Sequence, residues 1–318
     1  MALNPPSRGV TRRPLRRDRL IAIASLVGAT LFWAGNYVVG ASAVESIDPL
    51  SLVLLRWAIA LCPLVVLAHL VENPNWHEVL SRWRWLVGLS LTGMLAYSLL
   101  IYAALEHTGA FNASLINAFN PALITLAAAV VLHERLTLRS MIGVGLALIG
   151  VLAVLGDGEL SALWTGGFGT GELLMIGAIC AWTAYTILGR RAPSMPPITS
   201  TAVQAVFAVT ALTPISVAVG GPTLPTGWSA TGALLFIGIF PSVLSYLLWN
   251  RSLVALPAGS AGVFLNLITV FTAAFTILSG QAYTAAQLIG GAVVIGGVVL
   301  TNTSGRKRRR GTTTEGRR

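Results

Sequence analysis

Apolar stretches long enough to form membrane-crossing helices follow one another from Leu20 to Thr301, separated only by short polar breaks. A helix needs about 20 apolar residues to cross about 30 Å of hydrocarbon. Charged residues make up 10% of this chain, against about 25% in a soluble domain, so a soluble core does not fit. The pattern predicts an all-α integral membrane protein with ten transmembrane helices. They cover Leu20–Ala43, Leu50–Leu70, Trp85–Leu105, Ala110–Leu132, Ser140–Leu155, Gly171–Leu188, Thr199–Val219, Trp228–Trp249, Pro257–Leu278 and Tyr283–Thr301.

The net charge of +10 is concentrated outside the apolar stretches. Basic residues fill an arm over residues 1–19, a tail over residues 304–318 and alternate short loops, while the remaining loops contain no Lys or Arg. Because short loops rich in Lys and Arg stay in the cytoplasm, this segregation predicts that the N- and C-termini are both cytoplasmic. No aromatic or folded element accompanies the basic runs, so we expect contact with membrane lipids and none with nucleic acid.

The sequence lacks the patterns of catalytic and metal sites. Cys62 and Cys180 lie inside apolar stretches and indicate neither a disulfide framework nor a metal site. The pairs Glu106-His107 and His133-Glu134 have no third residue at a spacing typical of a metal site or a catalytic triad. No phosphate-binding loop is present, which excludes a built-in ATP-driven pump. We therefore expect no cofactor and no enzymatic activity, with an intramembrane enzyme as the less favoured alternative.

Several features of the chain recur at a constant interval. Trp33 and Trp182 are each followed closely by a tyrosine, and Tyr97 and Tyr246 are separated by the same interval as the two tryptophans. A duplication explains this order. Because five helices per copy is an odd number, the second copy must be inverted in the membrane, an architecture of secondary transporters that work by alternating access. The predicted parts are a cytoplasmic arm (1–19), a first repeat (20–156), an outer linker (157–169), a second repeat (170–303) and a cytoplasmic tail (304–318).

Motifs in both halves resemble those of the EamA-type ten-helix members of the drug/metabolite transporter superfamily. The matching segments are Leu31–Asn36, Pro49, Leu55–Trp57, Asn120-Pro121, Glu134–Leu136, Gly143, Gly150-Val151, Gly171–Leu173, Trp182, Ala258–Leu267 and Gln287–Gly291. The second half departs from the family pattern at Thr269 and Gln281, so no carboxylate role is carried over to it. The resemblance implies a secondary transporter in a bacterial inner membrane that exports amino acids, particularly aromatic or other apolar ones, and similar small metabolites. Exporters of drugs, sugars or other metabolites of the same superfamily are the alternative.

Aromatic and amide side chains within the predicted helices are the candidates for a substrate site. Amides in hydrocarbon need hydrogen-bond partners, and a cavity lined by aromatic rings and a few amides suits a solute with an apolar side chain and a zwitterionic end. Bonding between helices, packing and interface anchoring are competing explanations for the same residues. The candidate substrate-binding residues are Trp33, Asn36, Tyr37, Tyr97, Tyr102, Asn117, Asn120, Trp182, Tyr185, Tyr246 and Asn266.

Two charged residues are candidates for gating or charge recognition. Arg56 is the only basic residue within a predicted span, about 10 Å along the helix from Pro49, and a buried charge usually faces a cavity or a partner. It either binds a substrate carboxylate or acts as a gate; the competing explanations are a fixed pair with Glu45 or Glu106 near the outer surface and snorkelling of the side chain. Glu172, at the start of the sixth predicted helix, is the candidate coupling acid, although proton-coupled, exchange and facilitated transport fit the sequence equally.

Small and aromatic residues on helix surfaces predict contacts with neighbouring helices and with the membrane interface. Gly143 with Ala147, and Ala292 with Gly296, are pairs of small residues spaced to permit close helix contact. Packing within one chain is favoured over dimerisation, so we expect a monomer or a weak homodimer. Tryptophans near helix ends suit the membrane interface, and they are Trp83, Trp85, Trp228 and Trp249.

Overall fold

The computed structural model describes residues 16–133, 136–155, 169–255 and 263–303. Within these ranges the chain folds into helices and connecting turns, with no β-strand. Ten apolar helices, labelled α1 to α10, are joined by short connections, and a short surface helix (Trp76–Ser81) lies between α2 and α3. Their bounds are Arg16–Ala43 (α1), Pro49–Glu72 (α2), Trp83–Leu105 (α3), Ala110–Val131 (α4), Leu138–Leu155 (α5), Thr170–Arg191 (α6), Pro197–Ala218 (α7), Gly227–Ile239 with Phe240–Leu244 and Ser245–Ala255 (α8), Val263–Asn266 with Leu267–Leu278 (α9) and Ala285–Thr303 (α10).

Seven of these helices, α1 to α4 and α6 to α8, are long and apolar enough to cross a membrane, and α5, α9 and α10 are shorter apolar helices. The chain is therefore a multi-pass membrane protein, as the apolar pattern predicts. Each predicted segment contains one of the helices, with ends displaced by a few residues. Several sequence predictions fall outside the described residues: those on the arm up to residue 15, the tail, Glu134-Arg135, the linker apart from Gly169, and residues 257–262.

The start of α2 is defined by an acidic cap. Asp48 accepts a hydrogen bond from the backbone N–H of Ser51 at 2.9 Å, and Pro49 occupies the first turn, where its missing N–H costs nothing. Burial acts to raise the pKa of the Asp48 carboxyl, but hydrogen bonds from Ser51 and Thr223 outweigh burial and hold this pKa below its ordinary value. The ionised carboxylate lies at the positive end of the helix dipole, so it stabilises α2 where the chain enters the apolar region.

Among the described residues, three helices contain a π-helical turn; one, Ala68–Glu72, ends α2, and the other two lie at equivalent places in the predicted repeats. Ser90–Ala96 forms the turn in α3, and Phe240–Leu244 forms the turn in α8. Tyr97 directly follows the α3 turn, and Tyr246 follows the α8 turn after one residue. A π turn adds a residue to the helix and interrupts its regular hydrogen bonding. Both turns therefore displace the backbone and expose carbonyl groups near the middle of the protein.

The helices pair across the two halves in matched combinations. The helix α1 packs on α8 and α9, and α6 packs on their counterparts α3 and α4. Two further pairs, α2 with α7 and α5 with α10, join helices at the same place in each half. This arrangement encloses a central space between the halves, with α5 and α10 packed together to one side.

The pair α5 and α10 touch through their backbones. A Cβ atom on Gly150 would lie 2.7 Å from the Gly290 carbonyl oxygen, and one on Gly297 would lie 2.5 Å from the Gly143 oxygen. At such short distances between the two backbones, only glycine fits at these positions. The prediction of close contact is confirmed for Gly143 and wrong for Gly296, because a Cβ atom on Gly296 would meet nothing within 4 Å. The contact surface of α10 lies one residue further along, at Gly297.

The helix ends define two faces of the protein. On one face, the carboxylate of Glu72 at the end of α2 accepts hydrogen bonds from the backbone N–H groups of Ile198 and Thr199 in α7, both at 2.8 Å. On the opposite face, the Thr108 hydroxyl donates to Glu172 of α6 at 2.9 Å. We call the first the arginine face, because it carries Arg82, Arg84, Arg139, Arg190, Arg191 and Arg251.

Candidate functional site

A cavity of about 610 Å³ lies at the centre of the helices, lined by residues of α1 to α4 and α6 to α9. This volume is within the range of about 300–1,000 Å³ that is typical of small-molecule sites. Exposed residues of the α6–α7 connection, Pro193 and Ser194, line one end, so the cavity opens to the arginine face. Among the described residues, none from the connections on the opposite face lines it. The cavity is therefore open at one side.

Arg56 is the centre of a polar wall in this cavity. Its side chain is 7% exposed; Nε donates to the Ser242 hydroxyl at 2.8 Å and Nη1 to the Tyr102 hydroxyl at 2.7 Å. The Tyr102 hydroxyl in turn donates to Oδ1 of Asn36 at 2.8 Å. The guanidinium carbon lies 5.0 Å from the ring centroid of Trp57, which is cation–π geometry. The network orients the guanidinium and leaves Nη2 without a hydrogen bond to any described residue.

Arg56 has no carboxylate partner in the part of the chain that the structure describes. The ion pair found there joins Arg82 to Glu78, and the predicted alternative partners Glu45 and Glu106 are exposed on the opposite face. A fixed outer ion pair is therefore wrong as an explanation of Arg56. Because a buried charge without a counter-charge is costly, Arg56 retains unused capacity to bind an anion.

Three stacked rings form an aromatic wall of the cavity: Tyr97, Trp182 and Tyr185. The centroid distances are 4.6 Å between Tyr97 and Trp182 and 5.0 Å between Trp182 and Tyr185, both in tilted geometry. The Tyr97 hydroxyl donates to Oδ1 of Asn117 at 3.3 Å. Gly93, in the π turn of α3, lies against Tyr185, since a Cβ atom there would be 2.4 Å from Cδ2 of the tyrosine. The wall presents ring faces to an apolar group.

A second aromatic group forms around Trp33. Its ring lies 5.9 Å from that of Tyr246 and 5.6 Å from that of Trp249, and its Nε1 donates to the Pro241 carbonyl of the α8 π turn at 3.2 Å. Trp249, for which the sequence predicts an interface position, ends the apolar span Gly227–Trp249, packs on Trp33 and also lines the cavity.

Buried amides complete the lining. Asn120 accepts a hydrogen bond from Thr183 at 3.2 Å, and Nε2 of Gln204 donates to Ser200 at 2.9 Å. In contrast, Oε1 of Gln204 and both polar atoms of Asn266 have no partner among the described residues. A buried polar group without a partner costs about 1–3 kcal/mol, so these two amides retain hydrogen-bonding capacity for water or a solute.

The structure brings the predicted site residues together with two exceptions. Tyr102 is fully buried behind the cavity wall and acts on it through Arg56 and Asn36. Glu172 lies away from the cavity, in the first turn of α6, where it accepts from Thr108. The predicted residues that line the cavity are Trp33, Asn36, Tyr37, Arg56, Tyr97, Asn117, Asn120, Trp182, Tyr185, Tyr246 and Asn266.

Sequence reasoning missed three residues that shape the site. Trp57 adjoins Arg56 in the Leu55–Trp57 motif, so its position next to a buried arginine was a usable signal. Gly93 and Ser242 lie in the π turns of α3 and α8. A π turn has no periodic signature in sequence, and these two residues gain their roles from helices that are distant along the chain.

The EamA-like transporter family matches the chain twice, over residues 20–156 and 169–303. The chain belongs to the EamA-like transporter family. Both matched ranges contribute residues to the cavity, which therefore lies between the two EamA-like segments. The resemblance seen in the sequence motifs is confirmed.

Relatives of this EamA-like protein are transporters. YyaM of Bacillus subtilis, an uncharacterized transporter, is 26% identical over 276 residues, covering 85% of this chain and 90% of YyaM. A probable terminal-alkyne amino-acid exporter of Streptantibioticus cattleyicolor is 31% identical over 234 residues, covering 71% of this chain and 75% of the exporter. An S-adenosylmethionine/S-adenosylhomocysteine transporter of Chlamydia trachomatis is 28% identical over 169 residues, or 51% of each chain. The family and these relatives identify the EamA-like protein as a transporter.

A solved structure supports the fold of this EamA-like protein over nearly its whole length. The crystal structure of a protein 23% identical in sequence superposes with a TM-score of 0.60 and covers 91% of this chain and 98% of the other. At this identity the likeness concerns the fold alone.

Proposed function

We propose that this EamA-like protein is a secondary transporter that exports amino acids, particularly aromatic or other apolar ones, and similar small metabolites from a bacterial cell across its inner membrane. The observation that carries the proposal is Arg56, a buried guanidinium in the cavity wall with no carboxylate partner among the described residues. The two oxygens of an α-carboxylate match the planar donors of a guanidinium. A bound substrate would supply the missing counter-charge.

The distribution of polarity in the cavity supports an amphipathic substrate. Arg56, Asn36 and Ser242 form a charged and polar wall, whereas Tyr97, Trp182 and Tyr185 form a wall of stacked rings. A solute with a carboxylate at one end and an apolar side chain at the other can satisfy both. Two relatives are named as a probable exporter of a terminal-alkyne amino acid and as a transporter of S-adenosylmethionine and S-adenosylhomocysteine. These compounds all carry an amino acid group.

The transport cycle that we propose is alternating access between two inverted five-helix repeats, residues 20–156 and 170–303, with ten membrane-crossing helices and both termini in the cytoplasm. The two family matches, the matched helix pairs and the equivalent π turns support this organisation. The arginine face is then cytoplasmic, since basic residues favour that side. A cavity open to this face is an inward-open state, ready to receive a substrate for export.

Glu172 is proposed as a gate residue on the closed side. Its carboxylate on α6 accepts from Thr108, which precedes α4, so this hydrogen bond joins the two proposed repeats. Gly171 permits the contact, because a Cβ atom there would lie 2.7 Å from Cβ of Thr108. Opening of the outer side would require the two residues to separate.

The proposal is tested by flux in liposomes. The purified protein is reconstituted, and uptake of radiolabelled phenylalanine, methionine and threonine is followed with and without a pH gradient. Saturable flux is expected, and Arg56→Gln should raise the KM for phenylalanine about tenfold to a hundredfold, because a hydrogen bond to a charged group contributes about 1.5–3 kcal/mol. Arg84→Gln is the matched control, since this exposed arginine does not line the cavity.

Competition by fragments separates carboxylate recognition from general loss of activity. In the wild type, 3-phenylpropionate should compete with phenylalanine, while phenethylamine, which lacks the carboxylate, should not. Arg56→Gln should abolish this difference. Folded wild-type protein with no flux of any amino acid would refute the substrate class, and an unchanged KM in Arg56→Gln would refute the role of Arg56.

A further inference from the structure

The π turn of α3 places Gly93 directly against the ring of Tyr185. A Cβ atom on Gly93 would lie 2.4 Å from Cδ2, 2.7 Å from Cε2 and 2.8 Å from Cγ of that ring. Carbon atoms in favourable contact are about 3.5–4.0 Å apart, so a methyl group at this position would require the ring to move by more than about 1 Å. All three atoms belong to a rigid ring, which cannot yield by rotating a flexible tip.

Further contacts between α3 and α6 oppose movement of the ring together with its helix. On the same interface, Gly88 of α3 also lies in close contact with α6, since a Cβ atom there would be 2.8 Å from Cδ2 of Leu188. Within α6, Trp182 stacks on Tyr185 on one side and on Tyr97 of α3 on the other. The helices α3 and α6 are therefore held together at both ends of this contact.

The open side of the ring faces the cavity, so displacement in that direction meets no packed neighbour. Gly93, Tyr97, Trp182 and Tyr185 all line the cavity, and Tyr185 is half-buried. The absence of a side chain at position 93 thus makes room for the tyrosine in the wall and keeps it out of the space available to a solute.

We propose that Gly93 sets the size limit of the subsite that receives the apolar side chain of the substrate. This inference rests on the proposed function, in which the substrate carboxylate is held at Arg56. The space left by the missing side chain at Gly93 determines how far the Tyr185 ring lies from the centre of the cavity. It therefore determines how large an apolar group fits beside the aromatic wall. Gly93→Ala moves the ring into the subsite and selects against large side chains while small ones are still accepted.

The first test measures binding to the reconstituted full-length protein for threonine, methionine, phenylalanine and tryptophan. Gly93→Ala should weaken binding of phenylalanine and tryptophan about tenfold or more, as expected of overpacking, and leave threonine within about twofold. Gly177→Ala is the matched control on α6, because a Cβ atom there would meet Leu100 at an ordinary contact distance of 3.4 Å. Gly177 also does not line the cavity. In Gly93→Ala combined with Tyr185→Ala, the discrimination should disappear. Equal weakening for all four amino acids would overturn the inference.

The second test needs no substrate. The six tyrosines are labelled as 3-fluorotyrosine, and the Tyr185 resonance is assigned by its loss in Tyr185→Phe. This resonance should shift in Gly93→Ala and stay in place in Gly177→Ala; an unchanged Tyr185 resonance in Gly93→Ala would overturn the inference.

Failure of the proposed function is recognised separately. The same comparison is made with isovalerate, 3-phenylpropionate and indole-3-propionate. If the wild type binds these acids but none of the amino acids, the proposed substrate class is wrong. The size limit is then tested by whether Gly93→Ala weakens binding of the two aromatic acids more than binding of isovalerate. Binding of neither series would overturn both proposals.

Discussion

At the scale of single residues, the unusual feature is a chain of hydrogen bonds that holds one charge in place. Tyr102 is fully buried and lies between Arg56 and Asn36. Its hydroxyl accepts a hydrogen bond from Arg56 and donates one to Asn36. The side chains of Arg56 and Asn36 are thereby fixed before any ligand binds, which reduces the conformational entropy that would otherwise be lost on binding. Tyr102 contributes to the site by positioning Arg56, although it does not line the cavity.

Replacing Tyr102 by Phe should therefore weaken recognition of carboxylates. The change removes one hydroxyl and leaves a donor of Arg56 and an acceptor of Asn36 without their partner, at a cost of about 1–3 kcal/mol. We expect a lower midpoint of thermal unfolding and a raised KM for phenylalanine, with competition by phenethylamine unchanged. Tyr185→Phe is the control for stability, because its hydroxyl makes no hydrogen bond to a described residue. An equal effect of the two variants on the unfolding midpoint, or an unchanged KM for phenylalanine in Tyr102→Phe, would contradict the role of Tyr102.

At the scale of helices, two of the three π-helical turns among the described residues lie at the site. The π turns of α3 and α8 carry Gly93 and Ser242, which seat Tyr185 and bond Arg56 respectively. The Pro241 carbonyl accepts from Trp33 in the same turn. By contrast, none of the described side chains of α5 and α10 lines the cavity, and their close packing serves as a support for the helices that do.

The close packing of α5 on α10 predicts that substitutions at two neighbouring glycines, Gly297 and Gly296, change the stability of the protein by very different amounts. Gly297→Val should lower the unfolding midpoint in detergent, because its Cβ atom would lie 2.5 Å from backbone atoms of Gly143 and Ala147 and would force the helices apart. Overpacking of this kind costs about 1–3 kcal/mol. Gly296→Val should change the midpoint little, since a Cβ atom there meets nothing within 4 Å. A similar loss in both variants would show that helix propensity and not packing is responsible.

At the scale of the whole molecule, the contacts at the two ends are unequal. Thr108 bonds Glu172 and Asn112 bonds Gln287 on the face opposite the arginine face, where the cavity is closed. On the arginine face Glu72 ties α2 to α7, and the cavity nevertheless reaches the surface beside the α6–α7 connection. This inequality is what the proposed alternating-access cycle expects of its inward-open state.

The proposed orientation can be tested with single cysteines in a background where Cys62 and Cys180 are replaced by Ala. Ser194→Cys, at the cavity mouth, should react with a membrane-impermeant maleimide in inside-out vesicles and be protected in intact cells. Leu224→Cys, which is 63% exposed and lies between α7 and α8, should show the opposite behaviour. Reversed labelling would contradict a cytoplasmic arginine face.

Much of the site was predictable because residue type and helix position are sequence properties. Apart from Tyr102, the aromatic and amide candidates of α1, α3, α4 and α6 line the cavity, since a polar or large aromatic side chain within an apolar span has few favourable places other than a protein interior. Trp249 and Gly93 were not predictable in the same way. The cavity position of Trp249 depends on its contact with Trp33 of another helix, and the role of Gly93 depends on a tyrosine of another helix.

The sequence by itself determined that this chain is a multi-pass helical membrane protein of the EamA-like family, because long apolar runs leave a bilayer as the only suitable solvent and the family motifs recur in order. The tertiary structure decided which polar groups meet. Arg56 could have paired with Glu45 or Glu106 on sequence grounds, and packing of α2 against α3 and α8 gave it Tyr102 and Ser242 instead. Whether a buried charge is neutralised depends on distances of a few ångströms between helices, and hydropathy contains no information on these distances.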